Sequence, residues 1–187
     1  MPSPFLTRGS GSPQSIDINS GVNMPEVLNP RPLEPTGIIY TLGTSDREME
    51  EFIDLLKIYD IQVLIDVRRF PTSKFEWFKR KNLPRALAKR MIGYVFLGNE
   101  LGGYRKEGYD AHLSSEDFQK GLEKIESIAI YDRVAIICSE RMPWKCHRWL
   151  IARILKERGW EVLHIIEEDR LWTVEEKDKD IPLCEYS

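Results

Sequence analysis

Apolar and polar positions change rhythm along this chain, and the changes divide it into three regions. Residues 1–35 show neither a two-residue nor a 3.6-residue period. They carry seven of the eleven prolines with scattered Ser, Gly and Asn, and read as a leader with little regular structure. Residues 36–166 alternate short apolar runs with amphipathic stretches, as a single folded domain does. Residues 167–187 turn acidic and hold at most one short element, around Leu171 to Val174.

Within the domain, five apolar runs read as strands, at 37–42, 61–67, 93–97, 133–138 and 161–166. The second is apolar nearly throughout, as a strand covered on both faces must be. The stretches between them carry helix signals. Ser45 with Glu48 reads as a capping box ahead of the stripe Met49, Phe52, Ile53 and Leu56. Asn82-Leu83-Pro84 opens a helix with Leu83, Leu87 and Met91 on one side, and Ser114 or Ser115 caps one carrying Phe118, Leu122, Ile125 and Ile128. A last helix follows the fourth strand and stops at Gly159, a residue suited to the position after a helix end. Strands and helices in this alternation predict an α/β fold: a three-layer, largely parallel, five-stranded Rossmann-like sheet with helices on both faces. Two strand orders fit. The order 3-2-1-4-5 sets strands one and four side by side, whereas a flavodoxin-like order separates them by one strand.

Sheets of this kind bind ligands beyond the carboxyl ends of their strands, and the polar segments of this chain collect there. Thr44-Ser45 follows the first strand and Asp66 to Arg69 the second. Glu100 follows the third, and Cys138 to Arg148, reading C-S-E-R-M-P-W-K-C-H-R, follows the fourth. The proline in that last segment is expected to open a helix with Cys146, His147 and Arg148 in its first turn. Free backbone N–H groups and the positive helix end would there favour an anion and a thiolate.

Composition narrows the partners. The net charge is −3, yet nine basic residues fall between Arg68 and Arg90 against one acid, Glu76. A local basic face therefore sits within a mildly acidic total. In that segment Phe75, Trp77 and Phe78 interleave with Lys74, Lys79, Arg80 and Lys81, a composition able to stack bases and neutralise phosphates. Three cysteines, an odd number without disulfide spacing, and the lack of an apolar signal region or transmembrane-length run make a reduced, cytoplasmic setting the expectation. Side-chain amides are scarce after residue 31, as in proteins selected at high temperature.

The motifs C-x-E-x-x-P-x-x-C-H-R (Cys138, Glu140, Pro143, Cys146, His147, Arg148), D-V-R-x-x-P (Asp66, Val67, Arg68, Pro71) and E-L-G-G (Glu100 to Gly103) occur in order. In these the chain resembles the domain of unknown function 488 family over roughly residues 38–166. The resemblance implies an α/β fold and no particular reaction. That family usually carries a histidine before the serine of the turn after strand one, where this chain has Thr44.

Several roles are open to these residues. Cys146 is the candidate thiolate nucleophile, with His147, Asp66 and Glu140 as acid/base groups. Arg68, Arg69, Arg148, Arg141, Thr44 and Ser45 are candidate anion ligands. Cys138, Glu100, Gly102, Gly103, Tyr104 and Arg105 would line the same pocket, the last five on a long loop of lid-like length running to Ser114. The alternatives are that Cys146 packs with Leu150 and that the arginines merely tie loops together. His112 and His164 have no partner pattern. Metal is not expected, because C-x7-C-H is not a usual zinc spacing and adjacent helical residues point about 100° apart. No cofactor is expected either. The function these residues support is an anion pocket for a phosphate-bearing small molecule or nucleic acid, with or without thiolate catalysis. The alternative is a non-catalytic nucleic-acid-binding module built on residues 68–90.

Overall fold

The computed structural model describes residues 37–173. The leader, Cys184 and the tail beyond Thr173 lie outside the described residues. The chain builds a six-stranded sheet from β1 (Ile38–Gly43), β2 (Val63–Asp66), β3 (Gly93–Phe96), β4 (Val134–Cys138), β5 (Glu161–Glu167) and β6 (Arg170–Thr173). Helices α1 (Met49–Ile58), α2 (Leu83–Ala88), α3 (Gly98–Leu101), α4 (Tyr109–Leu113), α5 (Glu116–Ala129) and α6 (Arg148–Glu157) connect the strands.

The order across the sheet is β3-β2-β4-β1-β5-β6, parallel throughout except for the β5–β6 hairpin. It is neither order the sequence suggested, because β4 inserts between β2 and β1. Strands one and four are nonetheless neighbours, with Gly43 opposite Cys138. The sixth strand comes from the element expected around Leu171, which continues the sheet past Ile166.

Side chains alternate across the pleat and feed two cores. On one face Ile39, Ile65, Val134, Ile136 and Val162 meet Phe118, Leu122 and Ile125 of α5 and Trp149, Ile151 and Leu155 of α6. On the other, Tyr40, Leu42, Leu64, Ala135 and Ile137 meet Phe52, Ile53 and Leu56 of α1 and Leu83 and Leu87 of α2. The expected three layers follow. They also define a crevice: α6 leads away from β4 over the first face, while α1 and α2, which follow β1 and β2, cover the second. The backbone therefore parts on either side of the carboxyl end of β4, where Cys138 sits.

Local expectations fail where a neighbour outcompetes a motif. The capping box does not form, since Ser45 Oγ bonds Asp46 and α1 starts only after Glu48, which gives no side-chain cap. α2 ends at Ala88, and Met91 lies beyond it with φ of 60° and 94% exposure rather than on an apolar stripe. The loop expected from Glu100 to Ser114 is interrupted by α3 and α4, leaving only residues 102–108 irregular. Ser115, not Ser114, caps α5, accepting from Phe118 N at 3.2 Å, and Gly159 takes φ of 95° after α6 as expected.

Candidate active site at the carboxyl end of β4

The segment after Cys138 does not begin a helix at its proline. Pro143–Lys145 forms one turn of 3-10 helix, and Cys146 breaks out of it in an extended conformation with φ of −152° and ψ of 158°. His147 is the N-cap of α6 and Arg148 its first residue. Cys146, His147 and Arg148 thus do not share a helical turn, and all three are buried. The helix end presents no open anion cradle built from them.

What the break achieves is convergence. The ligand atoms of Cys138, Cys146 and His147 lie within 4.8 Å of one another. Cys138 Sγ is 3.8 Å from His147 Nδ1, and His147 Nε2 is 3.0 Å from the carbonyl oxygen of Val67. That carbonyl can only accept, so Nε2 carries a proton and Nδ1 is the atom that exchanges one with the sulfur. Gly103 makes room for the ring: a Cβ there would come within 2.8 Å of Nδ1.

Two guanidiniums are buried close enough to Cys138 for its charge to act on them. Arg68 is held by Asp66 through paired bonds of 2.9 and 2.7 Å, and Asp66 also accepts from Arg68 N and from Tyr94 Oη at 2.7 Å. Although burial works against its charge, those bonds and the Asp66 carboxylate raise the Arg68 pKa. Tyr94 is likewise pushed up, by burial and then by Asp66. Arg148 donates through Nη2 to the carbonyls of Glu140 and Arg141 at 3.0 and 3.1 Å, but no carboxylate pairs with it among the described residues. Burial lowers its pKa to about 10, so it stays charged at neutral pH. Arg148 Nε and Nη1 and Arg68 Nη1 are buried with no hydrogen-bond acceptor.

Charge accounting explains the cysteine. Asp66 balances Arg68, which leaves Arg148 to be balanced by Cys138 or by a bound anion. Burial alone would push the Cys138 thiol up. The charge of His147, its hydrogen bond to the sulfur and the Arg148 guanidinium outweigh that and bring it down to about 7. The neighbouring His164 goes the other way. Burial and then the Arg148 charge hold it well below the ordinary imidazole range, a neutral ring 2.6 Å from Thr41 Oγ1.

A comparison with protein families places this geometry. Residues 48–155, more than half of the chain, match the family model described as Domain of unknown function DUF488. The chain belongs to the DUF488 family. Neither the curated proteins nor the solved structures gave a match. No helix among the described residues is long and apolar enough to cross a membrane.

In this DUF488 chain the residues named from sequence divide between the site and its frame. Asp66, Arg68, Cys138, Cys146, His147 and Arg148 come together. Both Asp66 oxygens accept two hydrogen bonds, from Arg68 and Tyr94. Thr44 is buried and donates N–H to the Cys138 carbonyl at 2.9 Å, while Ser45 turns outward to Asp46. Arg69 and Arg105 bond the Asn99 carbonyl, and Arg105 also the carbonyls of Gly102 and Glu100. These bonds tie both side chains to the end of the short helix α3. Arg141 pairs with Asp46, Glu51 and Glu167 on the surface. Glu140 contributes its main-chain carbonyl to Arg148 while the residue itself is exposed. Glu100 Oε2 is buried and unbonded, Gly102 packs its backbone on Gly98 and Arg69, and Tyr104 is 61% exposed, edge-on to an equally exposed Phe70.

The rings of the basic–aromatic segment pack against the protein. Phe78 is fully buried against Phe52, Trp77 donates to the Arg47 carbonyl, and Phe75 stacks on Trp77. Lys79 and Lys81 pair with Glu76, and Arg80 lies 3.7 Å over the Phe96 ring. Sequence reasoning missed Tyr94 and the Val67 carbonyl, and gave His164 no partner. Tyr94 is a single polar position inside an apolar strand, and a main-chain carbonyl leaves no trace in side-chain pattern.

Proposed function

We propose that this protein is a cysteine-dependent enzyme acting on a phosphate-bearing substrate at the carboxyl end of β4, with Cys138 rather than Cys146 as the reacting thiolate. The observation that carries this reading is the pairing of Cys138 with His147 beside two buried arginines that have unbonded N–H groups. A substrate oxyanion would take the Arg68 and Arg148 donors, where charge-assisted bonds are strongest. Cys138 Sγ would attack the electrophilic centre, forming one bond to sulfur as the bond to the leaving oxygen breaks. The proton for that oxygen comes from His147 Nδ1, which the Val67 carbonyl holds in position. Water then releases the product from sulfur, its proton returning to His147. Asp66 and Tyr94 act through Arg68, as positioning residues.

The test is calorimetric titration of inorganic phosphate and of a nucleoside 5′-monophosphate into the metal-free protein. Binding should be measurable in the wild type and fall at least about tenfold in Arg148→Lys, which keeps the charge but loses the planar donor set. Lack of binding to either ligand, or an undisturbed affinity in the variant, would overturn the anion pocket. The binding-module alternative loses support, because the aromatic rings it needs are packed against the protein itself. It would regain ground if single-stranded nucleic acid bound with steep salt dependence and binding fell in Lys74→Ala.

A further inference from the structure

We infer that Cys138, Cys146 and His147 form a binding site for a thiophilic divalent metal ion, zinc by its donor chemistry. Two thiols and an imidazole are the soft and borderline ligands that select zinc among common divalent ions. Their ligand atoms already lie within 4.8 Å of one another and all three residues are buried. Zn–S near 2.3 Å and Zn–N near 2.0–2.1 Å in tetrahedral geometry put sulfur and nitrogen about 3.6 Å apart. Cys138 Sγ and His147 Nδ1 are 3.8 Å apart.

Two further features fit an ion. His147 Nε2 donates to the Val67 carbonyl, the second bond that fixes a metal-binding histidine's tautomer and aims its other nitrogen. Arg148 Nε and Nη1, buried and unbonded, are donors of the kind that stabilise metal-bound thiolates.

The sequence argued against this site on two grounds, and the structure removes both. The C-x7-C-H spacing bridges a strand end and a helix start, which the β4–α6 turn folds onto one point. The adjacent Cys146 and His147 are not on one helix, because Cys146 is extended, so the 100° divergence of helical neighbours does not apply. With three protein ligands, one coordination position is left for water or an anion. This inference does not rest on the thiolate enzyme above. A bound ion would engage the same sulfur, so metal occupancy and nucleophilic Cys138 exclude each other.

The experiment uses the full chain carrying Cys184→Ser, so that Cys138 and Cys146 are the only thiols. After chelator treatment, zinc is titrated against a chromophoric chelator, and cobalt(II) is followed by absorption spectroscopy. One equivalent of zinc should bind, and cobalt should show a thiolate-to-metal charge-transfer band. Cys146→Ser should weaken zinc by more than about a hundredfold, since loss of an outer partner alone costs about ten- to a hundredfold. The variant's fold is checked by far-UV circular dichroism. A second measurement needs no ligand variant: one equivalent of zinc should protect both thiols from alkylation, read by peptide mass spectrometry. Substoichiometric binding, a cobalt spectrum without the thiolate band, or unchanged alkylation of both cysteines would overturn the site. Phosphate affinity of the metal-free protein, measured separately, reports on the arginines and not on the ion.

Discussion

Arg148 is the residue on which the site turns. A guanidinium cannot shed its proton at neutral pH, and here it is buried with two of its three nitrogens unbonded. Its charge reaches two neighbours with opposite results, holding Cys138 towards the thiolate and His164 as the neutral ring. The His164 effect has a measurable sign. Its folded pKa lies below the unfolded value of about 6.5, so the unfolded chain binds the extra proton. The stability contribution is therefore complete above about pH 6.5 and is lost as pH falls below it, by up to about 1.4 kcal/mol per pH unit. Denaturant unfolding of wild type and His164→Gln between pH 7.5 and about 5 should give curves that diverge in that sense. Parallel curves would mean that His164 takes up its proton in the fold.

Among the elements, the helices show most plainly what sequence can and cannot reveal. Ser115 was one of two adjacent candidates, and the structure chooses it because its backbone is extended ahead of Glu116 while Ser114 is still helical. Its Oγ satisfies one otherwise unbonded N–H, so Ser115→Ala should cost about 1 kcal/mol of unfolding free energy. Chemical denaturation would detect this, and a change within error would show that the cap is replaced by water. Ser45 had the same signature without the same result, because Asp46 next to it takes the hydroxyl. The turn before α6 was harder still. Pro143 reads as a helix start, yet the chain makes a single 3-10 turn and then extends at Cys146. Pro143, Cys146 and His147 are all buried there, a tertiary circumstance that no local pattern records.

For the whole molecule, period and punctuation were enough to place five strands and the edge where the polar groups gather. Apolar runs such as 133–138 are unambiguous once both faces of a sheet must be covered. Strand order was less legible, because inserting β4 between β1 and β2 depends on how crossovers pack and not on any residue. The site was legible as a set of residues and not as roles. Cys138 and Cys146 look alike in sequence, and only the fold places Cys138 opposite Gly43 at the centre of the sheet, where the backbone parts. Both thiols are nearly closed off, at 6% and 2% exposure, so accessibility alone does not favour either strongly. On Cys138 the charges of His147 and Arg148 outweigh burial and bring the thiol down. The most direct test is the rate at which iodoacetamide modifies each cysteine of the metal-free native protein at neutral pH, with and without inorganic phosphate. Cys138 should react faster than Cys146, and phosphate on the Arg68 and Arg148 donors should slow it. A Cys138 that reacts only when the protein unfolds, or that is indifferent to phosphate while Cys146 reacts, would contradict the account.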